Sequence, residues 1–139
     1  MSSNGAKTKG IDHVGLTVSS LTQSLDFFVN ALGFTEIGGK PDYPAAYISD
    51  GTATLTLWQT SDPSDYTQFD RRRNIGLHHL ALVVTSSKEL DDLFEKVGAW
   101  KGVKVEFGPE YSGSGPKRHF MISEPGGNRI EFSWDPRKS

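Results

Sequence analysis

Two stretches of this chain are near copies of one another, and that limits the fold more than any other feature. Residues 11–34 read IDHVGLTVSSLTQSLDFFVNALGF, and residues 77–100 read LHHLALVVTSSKELDDLFEKVGAW. Overlaid, His13 falls on His79, Leu16 on Leu82, Val18 on Val84, Ser20 on Ser86, Asp26 on Asp92 and Phe28 on Phe94. Self-similarity of this size marks one supersecondary unit used twice. Each copy reads as an alternating strand followed by an amphipathic helix, and each carries a histidine at the same place.

The periodicities extend this into a βαβββ–βαβββ plan. In residues 11–18, Val14, Leu16 and Val18 form one face and His13, Gly15 and Thr17 the other, the pattern of a half-buried strand. Leu21, Leu25, Phe28 and Leu32 then make a helical stripe, with Gly33 suited to its C-terminal stop. Short strands are predicted near 34–39, 44–49 and 53–59, separated by turn residues at Gly38-Gly39, Pro41-Asp42 and Asp50-Gly51. The second copy predicts a strand at 77–84 and a helix at about 87–97, with Ser86 and Glu89 fitting a capping box. Strands at about 102–108, 118–123 and 128–134 complete it, the last two joined by a Glu124-Pro125-Gly126-Gly127 turn. The expected organisation is a loose tail at 1–9 and one α+β domain at 10–135. Its modules span 10–60 and 76–135, with a linker at 61–75 and a glycine-rich loop at 111–117.

Bulk properties exclude several classes. A net charge of −2 argues against a dedicated nucleic-acid binder. There is no cysteine, so disulfides, thiolate metal sites and thiol catalysis are out, and a metal must take N and O ligands. The opening MSSNGAKTKG has no apolar core of a signal peptide. Apolar runs of about five residues are too short to cross a bilayer. The expectation is a cytoplasmic protein with a small-molecule substrate, and neither nucleic acid nor membrane as partner.

The polar faces carry the chemistry. One face of each strand packs on a helix; the other shows His13, Gly15 and Thr17 in the first strand, Thr56 and Trp58 in the fourth, His79 in the fifth and Glu131 in the eighth. If these faces line one curled mixed sheet, His13, His79 and Glu131 share a cavity. Two histidines and a carboxylate on separate strands make a facial set with open positions for substrate. A lone strand histidine is more often a core or surface residue than a ligand. The equivalence of His13 and His79 in the repeat is what favours a divalent metal site of Zn, Ni, Co, Mn or Fe. His119 and Met121 share an inward-facing strand face, and His119 is a candidate acid–base or supporting residue. Tyr47, Thr56, Trp58 and Met121 are candidate pocket residues. His78 falls on the wrong face and reads as structural. Arg71-Arg72-Arg73 reads as a solvated charge run, with anion binding as the alternative.

The motifs H-x-x-L-x-V, S-L-x-F-F-x-x-x-L-G-F, H-L-A-L and E-P-G-G-N-x-I-E-F together resemble the vicinal oxygen chelate superfamily over about residues 10–135. This group includes glyoxalase I, extradiol dioxygenases, fosfomycin-resistance enzymes and bleomycin-binding proteins. The resemblance implies paired βαβββ modules whose sheets curl around a metal-binding cavity. It also implies a homodimer in which two chains complete two sites. Carried over, the ligand positions are His13, Thr56, His79 and Glu131. Thr56 departs from the glyoxalases, which have a carboxylate there, and leaves three ligands.

Other departures narrow the resemblance. Thr17 and Thr60 stand where glyoxalases of this size have glutathione-binding arginine and asparagine, so glutathione is disfavoured as substrate. Met121 stands where extradiol dioxygenases have a tyrosine, and Tyr111, Gly115 and Met121 do not reproduce the fosfomycin-enzyme set. Glu131, the base position of glyoxalase I, is kept. The resemblance therefore implies a metal-dependent glyoxalase-like lyase or isomerase acting on vicinal oxygens, with Glu131 and His119 as catalytic candidates. The alternatives are an extradiol-type oxygenase and a non-catalytic binding protein.

Overall fold

The structure, a computed structural model, describes residues 5–138. The expected tail at 1–9 lies partly outside that range; residues 5–9 are exposed and form no helix or strand. The linker also forms none between residues 60 and 79.

Both modules follow the expected order. The first comprises β1 (Val14–Val18), α1 (Leu21–Asp26) running on into a π-helical turn at Phe27–Ala31, β2 (Thr35–Lys40), β3 (Ala45–Ser49) and β4 (Thr54–Gln59). The second comprises β5 (Leu80–Val83), α2 (Ser87–Gly98), β6 (Lys104–Tyr111), β7 (Arg118–Ser123) and β8 (Arg129–Trp134). The single curled sheet anticipated from sequence is instead two four-stranded mixed sheets, ordered β1-β4-β3-β2 and β5-β8-β7-β6. In each, the first strand runs parallel to the last, with Leu16 opposite Leu57 and Leu82 opposite Phe132. The remaining neighbours are antiparallel.

The repeat extends to the caps. Ser20 Oγ accepts from the Gln23 N–H at 3.2 Å, and its counterpart Ser86 Oγ accepts from the Glu89 N–H at 3.0 Å. Each satisfies one of the orphan donors of a helix start, worth about 1 kcal/mol. The first helix departs from the sequence reading after Asp26. Leu32 N–H bonds back five residues to the Phe27 carbonyl, at 3.2 Å. Phe27, Phe28 and Ala31 are all buried in this wider turn. The Phe28 ring meets those of Phe27 and Phe34 edge-on at 5.3 and 5.4 Å.

One apolar cluster spans both modules, with Leu16, Val18, Leu55 and Leu57 from the first and Leu82, Phe120, Ile130 and Phe132 from the second. A polar contact fixes how they meet. Ser24 on α1 is fully buried and donates from Oγ to Glu124 Oε1 at 2.7 Å. Glu124 also accepts from the Gly126 N–H at 2.7 Å and from the Asn128 side-chain amide at 2.9 Å. That amide donates in turn to the Thr17 carbonyl, and Ser19 N–H donates to the Gly126 carbonyl. A carboxylate can be buried here because its oxygens are so fully hydrogen-bonded.

Candidate metal and substrate site

The faces turned away from the helices divide between the two sheets. His13, just before β1, and Thr56 belong to the first; His79, His119, Met121 and Glu131 belong to the second. Glu131, Met121 and Thr56 are buried although they point away from the helices, so both open faces are hollows rather than flat surfaces.

On the second sheet, register brings the predicted residues together. Glu131 lies opposite Ala81 on one side and Met121 on the other, and His119 lies opposite Ser133. His79 Nε2 is 2.9 Å from Glu131 Oε1, and His119 Nδ1 is 2.7 Å from Glu131 Oε2. Lys117 Nζ approaches Oε2 at 3.5 Å. The far nitrogen of His119 lies 4.0 Å from the exposed Glu110 carboxylate, and its ring packs on Phe107. Burial by itself raises the Glu131 carboxyl. The His119 hydrogen bond, with the charges of Lys117, His119 and His79, outweighs it and holds the group below the usual carboxylate range. Glu131 is therefore an anion at neutral pH.

His78, read from sequence as structural, sets the chemistry of its neighbour. Its Nδ1 lies 2.8 Å from His79 Nδ1 and 3.2 Å from Arg129 Nη1. Arginine can only donate, so His78 Nδ1 is an acceptor. His79 Nδ1 is then the donor of that pair, and its Nε2 is turned to Glu131 Oε1. Partial desolvation, followed by the charges of Arg129, His79 and Arg71, lowers the His78 pKa and keeps it in this neutral, accepting form. A ring nitrogen facing a carboxylate oxygen at 2.9 Å shares a cation with it, either a proton or a metal ion. The spacing also suits two ligand atoms on one ion, each bonded at about 2.0–2.2 Å.

The third predicted ligand is elsewhere in the chain. His13 is half exposed, with Nδ1 2.7 Å from Asp12. Among the described residues, no group of three or more His, Cys, Asp or Glu is arranged to hold a metal ion. His79 and Glu131 thus offer two ligands, and one chain does not bring His13 to them.

The first sheet supplies an aromatic wall. Trp58 Nε1 donates to Thr56 Oγ1 at 2.8 Å, so the Thr56 hydroxyl is engaged by the indole. Tyr43 meets the Trp58 ring edge-on at 4.6 Å, and Tyr47 lies at 6.1 Å. Gly15 makes this possible, since a Cβ there would stand 3.2 Å from Thr56 Oγ1 and 3.4 Å from Trp58 Nε1. Tyr47, Thr56 and Trp58 therefore cluster as anticipated, while Met121 stands beside Glu131 on the other sheet. A cavity of about 590 Å³ opens at the module junction, walled by Thr17, Thr60, Phe69, Leu77, His79 and Asn128 among others. Its volume is that of a small-molecule pocket. It meets the His–Glu cluster at His79.

A profile of the Glyoxalase/Bleomycin resistance protein/Dioxygenase superfamily matches residues 10–132. The chain belongs to this superfamily. A superfamily domain from Frankia sp. EAN1pec, described as a glyoxylase/bleomycin resistance protein/dioxygenase domain, superposes with a TM-score of 0.80 at 23% identity, covering 96% of each chain. Lactoylglutathione lyase from Agrobacterium tumefaciens superposes with a TM-score of 0.67 at 19% identity, covering 93% of this chain and 96% of that one. In sequence, catechol-2,3-dioxygenase from Bacillus subtilis (strain 168) is 29% identical over 130 residues. That alignment takes in 91% of this chain but 43% of the dioxygenase, so the chain spans less than half the length of that relative. No helix among the described residues is long and apolar enough to cross a membrane.

Sequence reasoning placed His79, His119, Met121 and Glu131 on one face, and they meet. It missed Lys117, which ends the glycine-rich loop just before β7, and Tyr43, which lies in a turn. It also missed the role of His78, whose influence passes through its neighbour and not through its own strand face.

Proposed function

We propose that this superfamily member is a metal-dependent, glyoxalase-like lyase or isomerase acting on a small substrate with vicinal oxygens. The observation that carries the reading is His79 Nε2 facing an ionised Glu131 oxygen at 2.9 Å, with the other oxygen anchored by His119. The site works as a homodimer in this reading, His13 of one chain joining His79 and Glu131 of its partner. Bound there, a divalent ion would chelate neighbouring substrate oxygens and stabilise negative charge developing on them. Zn, Ni, Co, Mn and Fe all suit this donor set.

Glu131 would take a proton from carbon beside a chelated carbonyl, and His119, donating from Nδ1 to Oε2, would hold the carboxylate in position for it. Thr56 contributes no ligand, since its hydroxyl accepts from Trp58.

A second reading, an extradiol-type oxygenase, is favoured by the Tyr43–Tyr47–Trp58 wall and by likeness to the catechol dioxygenase. An aromatic diol would stack on that wall. Oxygen uptake on catechol would decide for it, and proton exchange without oxygen uptake for the isomerase.

The test uses complementary variants. His13→Ala and His79→Ala homodimers should each lose most of their metal by elemental analysis. Chains mixed by refolding together should regain about one ion per heterodimer. Full metal content in the His79→Ala protein would refute the site. Failure of mixing to restore metal, with both variants folded, would refute the shared arrangement.

A further inference from the structure

Lys117 immediately precedes β7, and its ammonium reaches the open face at Glu131. The next residue, Arg118, turns to the opposite face of β7, where Nη1 donates to Ser87 Oγ at 2.6 Å and Nη2 reaches Asp91 Oδ1 at 3.0 Å on α2. That bidentate anchor pins the base of the strand to the helix. The loop before it is closed by Ser112 N–H donating to the Lys117 carbonyl at 2.9 Å and Gly115 N–H donating to Ser112 at 3.0 Å. Gly113 and Gly115 adopt φ of 59° and 81°, a region that L side chains rarely enter. Lys117 and His119 are thereby held on the face of Glu131.

The ammonium is ion-paired only to Glu131 among the described residues, and loosely. At 3.5 Å from Glu131 Oε2 it lies beyond a good hydrogen bond, and no hydrogen bond of Nζ forms among the described residues. Its side chain remains one-third exposed. Glu131 is shared with His79 and His119, and a bound ion would draw off more of its charge. The facing titratable groups are then Glu131, His79, His119 and, beyond it, Glu110 at the rim. A strongly hydrated point charge at the mouth of such a site is a contact for an incoming anion.

We propose that Lys117 binds the negative oxygen of a substrate whose vicinal oxygens chelate beside His79 and Glu131, so that the site selects anionic chelators such as 2-hydroxy- and 2-oxocarboxylates over neutral diols. This rests on the metal-dependent reading above.

The test loads the full-length protein with cobalt, whose visible spectrum reports ligand exchange. It is titrated with glycolate, a bidentate anion, and with imidazole, a neutral ligand. Lys117→Met should weaken glycolate about tenfold, the scale of one charge-assisted contact. It should leave cobalt content and imidazole affinity unchanged. Lys117→Arg should recover most of the glycolate affinity. Unchanged glycolate binding by a cobalt-loaded Lys117→Met protein overturns the assignment, as does equal loss for glycolate and imidazole, which would make Lys117 a shaping residue. Failure of the unsubstituted protein to hold cobalt overturns the metal reading first, and this inference with it.

Discussion

Gly126 is the position at which a single methyl group should do most damage. It has no positive φ to justify glycine, so the reason is spatial. A Cβ built there would collide with Ser24 Oγ and stand 2.7 Å from Val18 Cβ and 2.8 Å from Glu124 Oε2. None of these can retreat. Val18 is fully buried in the core, and Ser24 and Glu124 are the bonded pair joining the modules. Gly126→Ala must therefore overpack the junction, at about 1–3 kcal/mol. It must also loosen a buried hydrogen bond to a carboxylate, at about 1–3 kcal/mol more. A total near 4 kcal/mol would be a large part of the roughly 5–15 kcal/mol that holds a domain folded. It should lower the melting temperature by about 10–20 °C. Gly127→Ala is the control: its φ is 103° with nothing within 4 Å, so only backbone strain of about 1–2 kcal/mol applies. Differential scanning calorimetry on the two variants separates the mechanisms. Adding Ser24→Ala to Gly126→Ala should relieve part of the clash. A Gly126→Ala protein that melts within about 3 °C of the original would refute the packing argument.

Two further predictions concern the polar network around Arg129. Glu106 takes a bidentate bond from Arg129 at 3.0 and 2.7 Å, and chiefly for that reason its pKa is lowered. A depressed folded-state pKa stabilises above the unfolded value near 4.3 and is lost as pH falls below it. Glu106→Gln should therefore flatten the fall in melting temperature between about pH 5 and 3, and curves that remain parallel would contradict this. His78→Phe keeps the ring but removes the acceptor that fixes His79, so metal affinity by competition with a chelator should fall about 10–100-fold. Unchanged affinity would remove His78 from the site.

The strand faces were legible because alternation in β1, β4, β5 and β8 survives the repeat: Leu16, Val18, Leu55, Leu57, Leu82, Ile130 and Phe132 went to the core, while Trp134 at the end of β8 stayed outside it. The helix end was not. Leu21, Leu25, Phe28 and Leu32 mark a regular stripe, but the turn widens over Phe27–Ala31 and Phe27 is buried as well, which an α-helical period does not announce. The division into two sheets was hidden for a similar reason. Alternation says which face a residue shows, not which strands share an edge, and the link between β1 and β4 is a parallel pairing across 41 positions. Hence His13 and His79, equivalent in sequence, lie on different sheets, while His79, His119 and Glu131 meet through the local register of β5, β8 and β7. Glu124 was visible only as a turn residue, because its partner Ser24 stands 100 positions away.

The parallel pairing of each first strand with its module's last has a consequence for the order in which the chain can fold. β2, β3 and β4 form from neighbouring hairpins, whereas β1 has no partner until β4 exists. A growing chain must therefore hold β1 and α1 unpaired until about residue 59 has emerged, and β5 with α2 until residue 134. Non-local closure of this kind is the slow step in small α/β folds. Each module should close last at its opening strand, the one leading out from His13 or His79. The turn that carries Glu124 and Gly126 lies just before β8. The pin between the modules and the latch of the second module are therefore made by the same few residues.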